Sequence, residues 1–176
     1  RVLDHGSAPV TVLEVREGHW GRETVWAPEV HRYNDRYYLF VTLTSTDPLP
    51  TPTGRPQNVK RGTEIFVADG PEGPFRPLGA GAQTPPDWMS LDGTLWAEDG
   101  VPYMVFCHEW IQITDGSMDL VRMKDDLSAP ADSPVKLFHA SEADWVRCRG
   151  DLGELFQGKR YHAYITDGPW LHRSKT

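Results

Sequence analysis

Apolar residues along this chain come in short runs closed by Gly, Pro, Asn and Asp, the punctuation of strands and turns rather than of amphipathic helices. In HRYNDRYYLFVTLTS two extended runs flank Asn34-Asp35. There Tyr37, Tyr38, Leu39, Phe40 and Val41 supply the aromatic and branched side chains that pack well on a pleated surface. TEIFVADGPEGPF reads as a short strand closed by a Gly/Pro turn, and TLWAEDGVPYMVF as a hairpin. Asp99-Gly100 stands at the tip of that hairpin, because the pair tolerates the positive φ angles of a type I′ turn. GSMDLVRMKDDLSAP adds a strand and a turn, and YHAYITDGPWLHRSKT begins the pattern again. Between the first two units, TDPLPTPTGRPQNVKRG carries four prolines that cannot donate to a ladder, so the whole segment is expected to be a loop, long enough to shape a site.

Superposing the turn pairs gives an offset of 99 − 34 = 65, and Asp92 to Asp167 gives 167 − 92 = 75. Each unit holds about four short strands, the content of one propeller blade. The expected fold is therefore all-β, a partial β-propeller of about three blades whose ring is incomplete. Residues 1–176 form part of a single propeller domain: the end of one blade, two full blades near 26–90 and 91–160, and the start of another from 161. In this register WAPEV, SLDGT and TDGPW each enter the first strand of a blade, and first strands line the central channel. No strand precedes Asp92 at hairpin distance, so Asp92 is not a hairpin turn residue like Asp99. Asp92 and Asp167 are read either as turn or cap residues or as carboxylates facing the channel.

Charge and composition narrow the partners. A formal net charge of -7 argues against a nucleic-acid partner, since phosphate binding needs clustered Lys and Arg, and Lys159-Arg160 and His172-Arg173 make too thin a patch. No apolar run reaches the roughly 18 residues of a membrane span, so no membrane partner is expected. Cys107 and Cys148 lack CxxC spacing and are expected as buried free thiols, and His31, His139, His162 and His172 lack metal-ligand spacing; no metal or cofactor is expected. The repeated Gly-His and Trp-Asp signatures of WD propellers are missing, as is the Ser-x-Asp-x-Gly-x-x-Trp box of sialidases.

As an ordered set, WAPEVHRYNDRYYLF, VADGPEGPFRPLG, SLDGTLWAEDGVPYMVF and MKDDLSAP resemble glycoside hydrolase family 43, five-bladed propellers that cleave arabinose- and xylose-containing glycans. The resemblance covers most of the chain and implies an oligosaccharide or polysaccharide substrate. It also implies an inverting mechanism with three carboxylates: a base that activates water, an acid that protonates the leaving oxygen, and a third that tunes the acid. Inversion needs acid and base roughly 6.5–9.5 Å apart so that water fits between sugar and base. Trp26-Ala27-Pro28, Asp92 and Asp167-Gly168-Pro169 stand where the family opens successive blades, and Asp92 takes the tuning role.

The chain departs from the family in two places. The family carries Glu before its Gly-Pro, whereas this chain has Asp167, one methylene shorter. Either the backbone sits closer or the acid lies elsewhere, with Glu109 in FCHEW as the rival. No position matches the family's base beside a proline, and Asp4 lacks that context. The chain is therefore expected to be an internal fragment, inactive and poorly folded by itself, and a non-catalytic carbohydrate-binding propeller is the alternative reading. Trp26 is either core packing or a surface on which a sugar's apolar face stacks. Glu29, Trp88 and His108 are the remaining substrate-binding candidates, each with a plain structural role as the alternative: a structural carboxylate, a loop residue before Asp92, and a core histidine beside Glu109 and Trp110.

Overall fold

The computed structural model describes residues 9–146, 154–156 and 158–174, so Asp4 and Cys148 lie outside the described residues. Two antiparallel four-stranded meanders dominate. The first runs β1 (Thr24–Tyr33), β2 (Arg36–Pro48), β3 (Val59–Ala68) and β4 (Arg76–Pro77), and the second β5 (Ser90–Glu98), β6 (Val101–His108), β7 (Ser117–Arg122) and β8 (Val135–His139), each paired in sequence order. A short pair, β9 (Glu154–Phe156) with β10 (Lys159–Tyr161), follows. The only α-helix among the described residues, α1 (Trp110–Ile113), is a single turn. None of the described helices is long and apolar enough to cross a membrane. This is the all-β, blade-by-blade architecture expected.

The two hairpins close as the turn chemistry dictates. Asn34 and Asp35 sit at φ 44 and 58, and Asp99 and Gly100 at φ 51 and 81, the positive pair that a type I′ turn requires. The proline-rich connection behaves differently at its ends. Pro48 pairs with Val59, so both strands extend into the segment expected to be wholly loop, and only 49–58 remains irregular. A proline is tolerated there because it lies at the end of β2, where no further ladder bond is needed.

The sheets stack through one core, in which Tyr38, Phe40 and Ile65 meet Met104, Phe106, Val121, Met123 and Leu127. The opposite face of the first sheet, with Leu39, Val41, Leu43 and Phe66, is covered by Val12, Leu13, Val15 and Trp20 of the N-terminal segment. A third, smaller core joins Met89, Trp110 and Ile111 to Ala163 and so docks the segment that continues to Asp167. β1 stands apart, with Val25, Trp26 and Val30 all exposed, as expected of a strand lining an open channel. Cys107 is a buried free thiol, as expected, and burial pushes its pKa up.

Candidate functional site

Both leading strands are kinked at equivalent places. β1 shifts register between Trp26 and Glu29, and β5 between Leu91 and Thr94. Each kink holds a residue at positive φ, Ala27 at 42 and Asp92 at 55, separated by 92 − 27 = 65, the spacing of the hairpin turns. Gly168, at φ 47, repeats the conformation in the C-terminal segment. A bulge re-aims the side chain it carries, which turns Asp92 inward although it lies within a strand. The backbone thus matches Asp92 with Ala27 and Gly168, and Asp167 with the residue before each kink.

Asp92 is held on three sides. Its N–H donates to Thr42 Oγ1 at 2.7 Å, the Thr42 hydroxyl lies 3.4 Å from Oδ1, and the Gly168 N–H donates to Oδ2 at 3.1 Å. Its carboxyl also neighbours that of Asp167 in the same cavity. Burial, reinforced by that neighbouring carboxyl, pushes the Asp92 pKa up to about 6, against the opposing donation from Gly168 and Thr42. The bond from the Gly168 amide draws the backbone beside Asp167 toward Asp92, which suits the shorter aspartate.

Asp92, Asp167 and Glu109 line one cavity of about 320 Å³, with Trp26 and Trp110 among its walls. Glu109 follows β6 and is almost fully buried, and one oxygen is taken by Arg61 Nη1 in a close ion pair. Burial raises the Glu109 pKa, while the Arg61 guanidinium pulls it back. Glu29 lies next door, lining a neighbouring cavity that shares Ala27 and Asp92, and its carboxylate meets His31 Nε2 at 3.2 Å.

Trp88 and His108 are placed elsewhere. Their rings stack at 4.1 Å, Trp88 leans on the core between the sheets, and His108 Nε2 meets Gln112 Oε1 at 2.7 Å. Burial lowers the His108 pKa. Neither residue is among those lining the cavity with Asp92, and together they brace the loop before β5 against α1. Thr42, Arg61 and Trp110 belong to the site but carry no motif of their own. Trp110 had a signal in its adjacency to Glu109, whereas Thr42 and Arg61 reach the site through pairings 50 and 48 residues distant. Among the described residues no group of three or more His, Cys, Asp or Glu side chains is placed to hold a metal ion.

The model of glycosyl hydrolases family 43 matches residues 3–175. The chain belongs to this family. Among solved structures, the endo-arabinase from Bacteroides thetaiotaomicron VPI-5482 superposes with a TM-score of 0.75 at 38% identity, covering 92% of this chain and 51% of that one. A thermostable family-43 glycoside hydrolase shares the fold, with a TM-score of 0.52 at 22% identity, covering 72% of this chain and 38% of that one. The chain thus spans about half the length of the endo-arabinase it matches. Among curated proteins no sequence matches. The family 43 chain described here is a pair of propeller blades with a third segment docked against them.

Proposed function

We propose that the protein hydrolyses O-glycosidic bonds in arabinose- or xylose-containing glycans with inversion, as the catalytic half-site of a family 43 propeller. The 38% identity to an endo-arabinase favours arabinose. The observation that carries the proposal is that Asp92, fixed by Thr42 and the Gly168 amide, lines one cavity with Asp167, walled by Trp26 and Trp110.

Burial and the neighbouring Asp167 make the Asp92 carboxyl harder to ionise, so it holds its proton up to about pH 6. Asp167 is the more exposed of the two and takes the role of general acid, giving its proton to the leaving oxygen. Asp92 tunes it. When Asp92 ionises, its negative charge is met by the Gly168 amide and the Thr42 hydroxyl. Glu109 is set aside as the acid because Arg61 already engages it, and Trp26 offers the flat apolar surface that a sugar face stacks on. Glu29 borders the site from the adjoining cavity as a contact for substrate hydroxyls. The general base is drawn from outside Asp92, Asp167 and Glu109, since the first tunes the acid, the second is the acid and the third is held by Arg61.

The test is to incubate the full-length protein with arabinan, xylan, aryl arabinofuranosides and aryl xylosides, and to follow the anomer released by NMR. The expected result is release from arabinosides with inverted configuration. Asp167→Asn is expected to lower kcat by roughly 10²–10⁴-fold, the usual worth of a positioned acid. Binding of these glycans without release would instead favour a carbohydrate-binding propeller, and release of the retained anomer would overturn the inverting mechanism.

A further inference from the structure

Against the Trp26 ring lies a side chain that the chemistry above does not use. Arg61, on β3, is buried, yet it is not among the residues lining the cavity. Its Nε donates to Thr44 Oγ1 at 2.9 Å, its Nη1 is bound to the Glu109 carboxylate, and its guanidinium carbon lies 4.4 Å from the centre of the Trp26 ring. Thr44, Arg61 and Glu109 are each buried, whereas the Trp26 ring that they support is 42% exposed. The planar cation is therefore fixed by two of its edges and covers one face of the indole.

We propose that Arg61 is a positioning residue for saccharide binding: fixed by Thr44 and Glu109, it holds the Trp26 ring in place and leaves the ring's other face free for an apolar sugar face. The inference rests on the functional reading above, to which it adds what supports the ring of Trp26, an exposed residue of β1. A guanidinium suits this position and an ammonium does not, because only the planar fork bonds to two acceptors at its edges while covering a ring with its face. Glu109 then enters the site as the counter-ion that keeps Arg61 in register rather than as a proton carrier. A buried arginine that lost its partner would either turn toward water or stay at a large desolvation cost, so the pair acts as one unit.

The experiment uses the full-length protein with an arabino-oligosaccharide, read by titration calorimetry for binding and by steady-state kinetics for turnover. Arg61→Lys is expected to raise Kd and KM about 10-fold, the scale of a desolvated cation–ring contact, with kcat within about 3-fold of the parent. The pH at which kcat declines is expected to stay where it is in the parent, because Asp92 and Asp167 are untouched. Trp26→Ala should weaken binding comparably, and adding Arg61→Lys to it should cost little more, since the arginine acts through the ring. If the parent neither binds nor cleaves any arabinoside or xyloside, the functional reading itself fails. If the parent binds and Arg61→Lys binds equally well, or if the two losses simply add, the positioning role is overturned while the functional reading stands. Thermal melting of each variant identifies a fold defect. Should Arg61→Lys melt early, Thr44→Val is measured instead, which removes one edge bond without touching the charge pair and is expected to raise KM in the same direction.

Discussion

Asp92 occupies a conformation that costs a non-glycine residue roughly 1–2 kcal/mol, and it is held there by Thr42 and Gly168. Burial and the neighbouring Asp167 push its carboxyl pKa up to about 6 in the folded chain, from the ordinary 3.8. Between those values the folded state binds more protons than the unfolded one, so stability falls as pH rises across that window and stays lowered above it. At 1.36 kcal/mol per unit the ceiling is about 3 kcal/mol, and screening at a half-exposed carboxyl reduces this to about 1 kcal/mol. Asp92→Asn is therefore expected to melt at a higher temperature than the parent near neutral pH and at nearly the same temperature below about pH 4. Turnover moves the other way: without the neighbouring acid, kcat falls and its basic limb shifts to lower pH. Calorimetric melts at the two pH values check the first half; a lower melting temperature near neutrality would contradict it. A pH-rate profile checks the second.

At the scale of the elements, what the sequence announced was local and what it concealed was the pairing. Asp99-Gly100 declares its hairpin through two adjacent residues, and the structure places the tip there. The kink at Asp92 leaves no such mark in SLDGT, because it arises from how β5 meets β6, with Leu91 opposite Cys107 and Thr94 opposite Val105. Trp88 and His108 stack on each other and His108 meets Gln112, a contact between the loop before β5 and α1 that no motif in the sequence marks. Gly93 shows why the kink admits no substitute on its other side. A Cβ there would lie 2.7 Å from Thr63 Cγ2 and 2.9 Å from Met104 Sδ, and the Gly93 amide donates to Thr63 Oγ1 at 2.9 Å. Gly93→Ala is expected to cost about 1–3 kcal/mol in urea unfolding, as overpacked sites do. Because the strand must move away from β3, kcat should drop as well, and unchanged unfolding would show that the contact relaxes freely.

For the molecule as a whole, the site is assembled from three pieces: β1 with its neighbours, β5 with its neighbours, and the segment that carries Asp167. Arg55, in the proline-rich loop, ties the last piece to the others. Its Nη2 donates to the Trp110 carbonyl at 2.7 Å and to the Ile111 carbonyl at 3.2 Å, its Nη1 reaches the His162 carbonyl at 3.5 Å, and its guanidinium lies near the Trp110 and Tyr161 rings. Sequence reading saw that this loop was long enough to shape a site, but a lone arginine among prolines does not reveal contacts more than a hundred residues away. Arg55→Ala is expected to lose about 1–3 kcal/mol through the buried carbonyls it strands. Amides in 161–168 should exchange faster, and kcat should decline although the residue touches neither carboxyl. Hydrogen exchange read by mass spectrometry checks this; an unaltered rate in 161–168 would count against the role of Arg55.

The positive φ angles at Ala27, Asp92 and Gly168 also carry a lesson about symmetry. If the two aspartates stood at matching positions of successive repeats, the scaffold would place them in near-equivalent surroundings. Asp167 stands one residue ahead of the positive-φ Gly168 and Asp92 takes the positive φ itself, a stagger of one step along the chain, or about 3.3 Å in an extended strand. That single step leaves Asp92 half-buried among donors and Asp167 exposed at the cavity edge. A repeating fold thereby acquires a front and a back, with two like side chains in unlike surroundings.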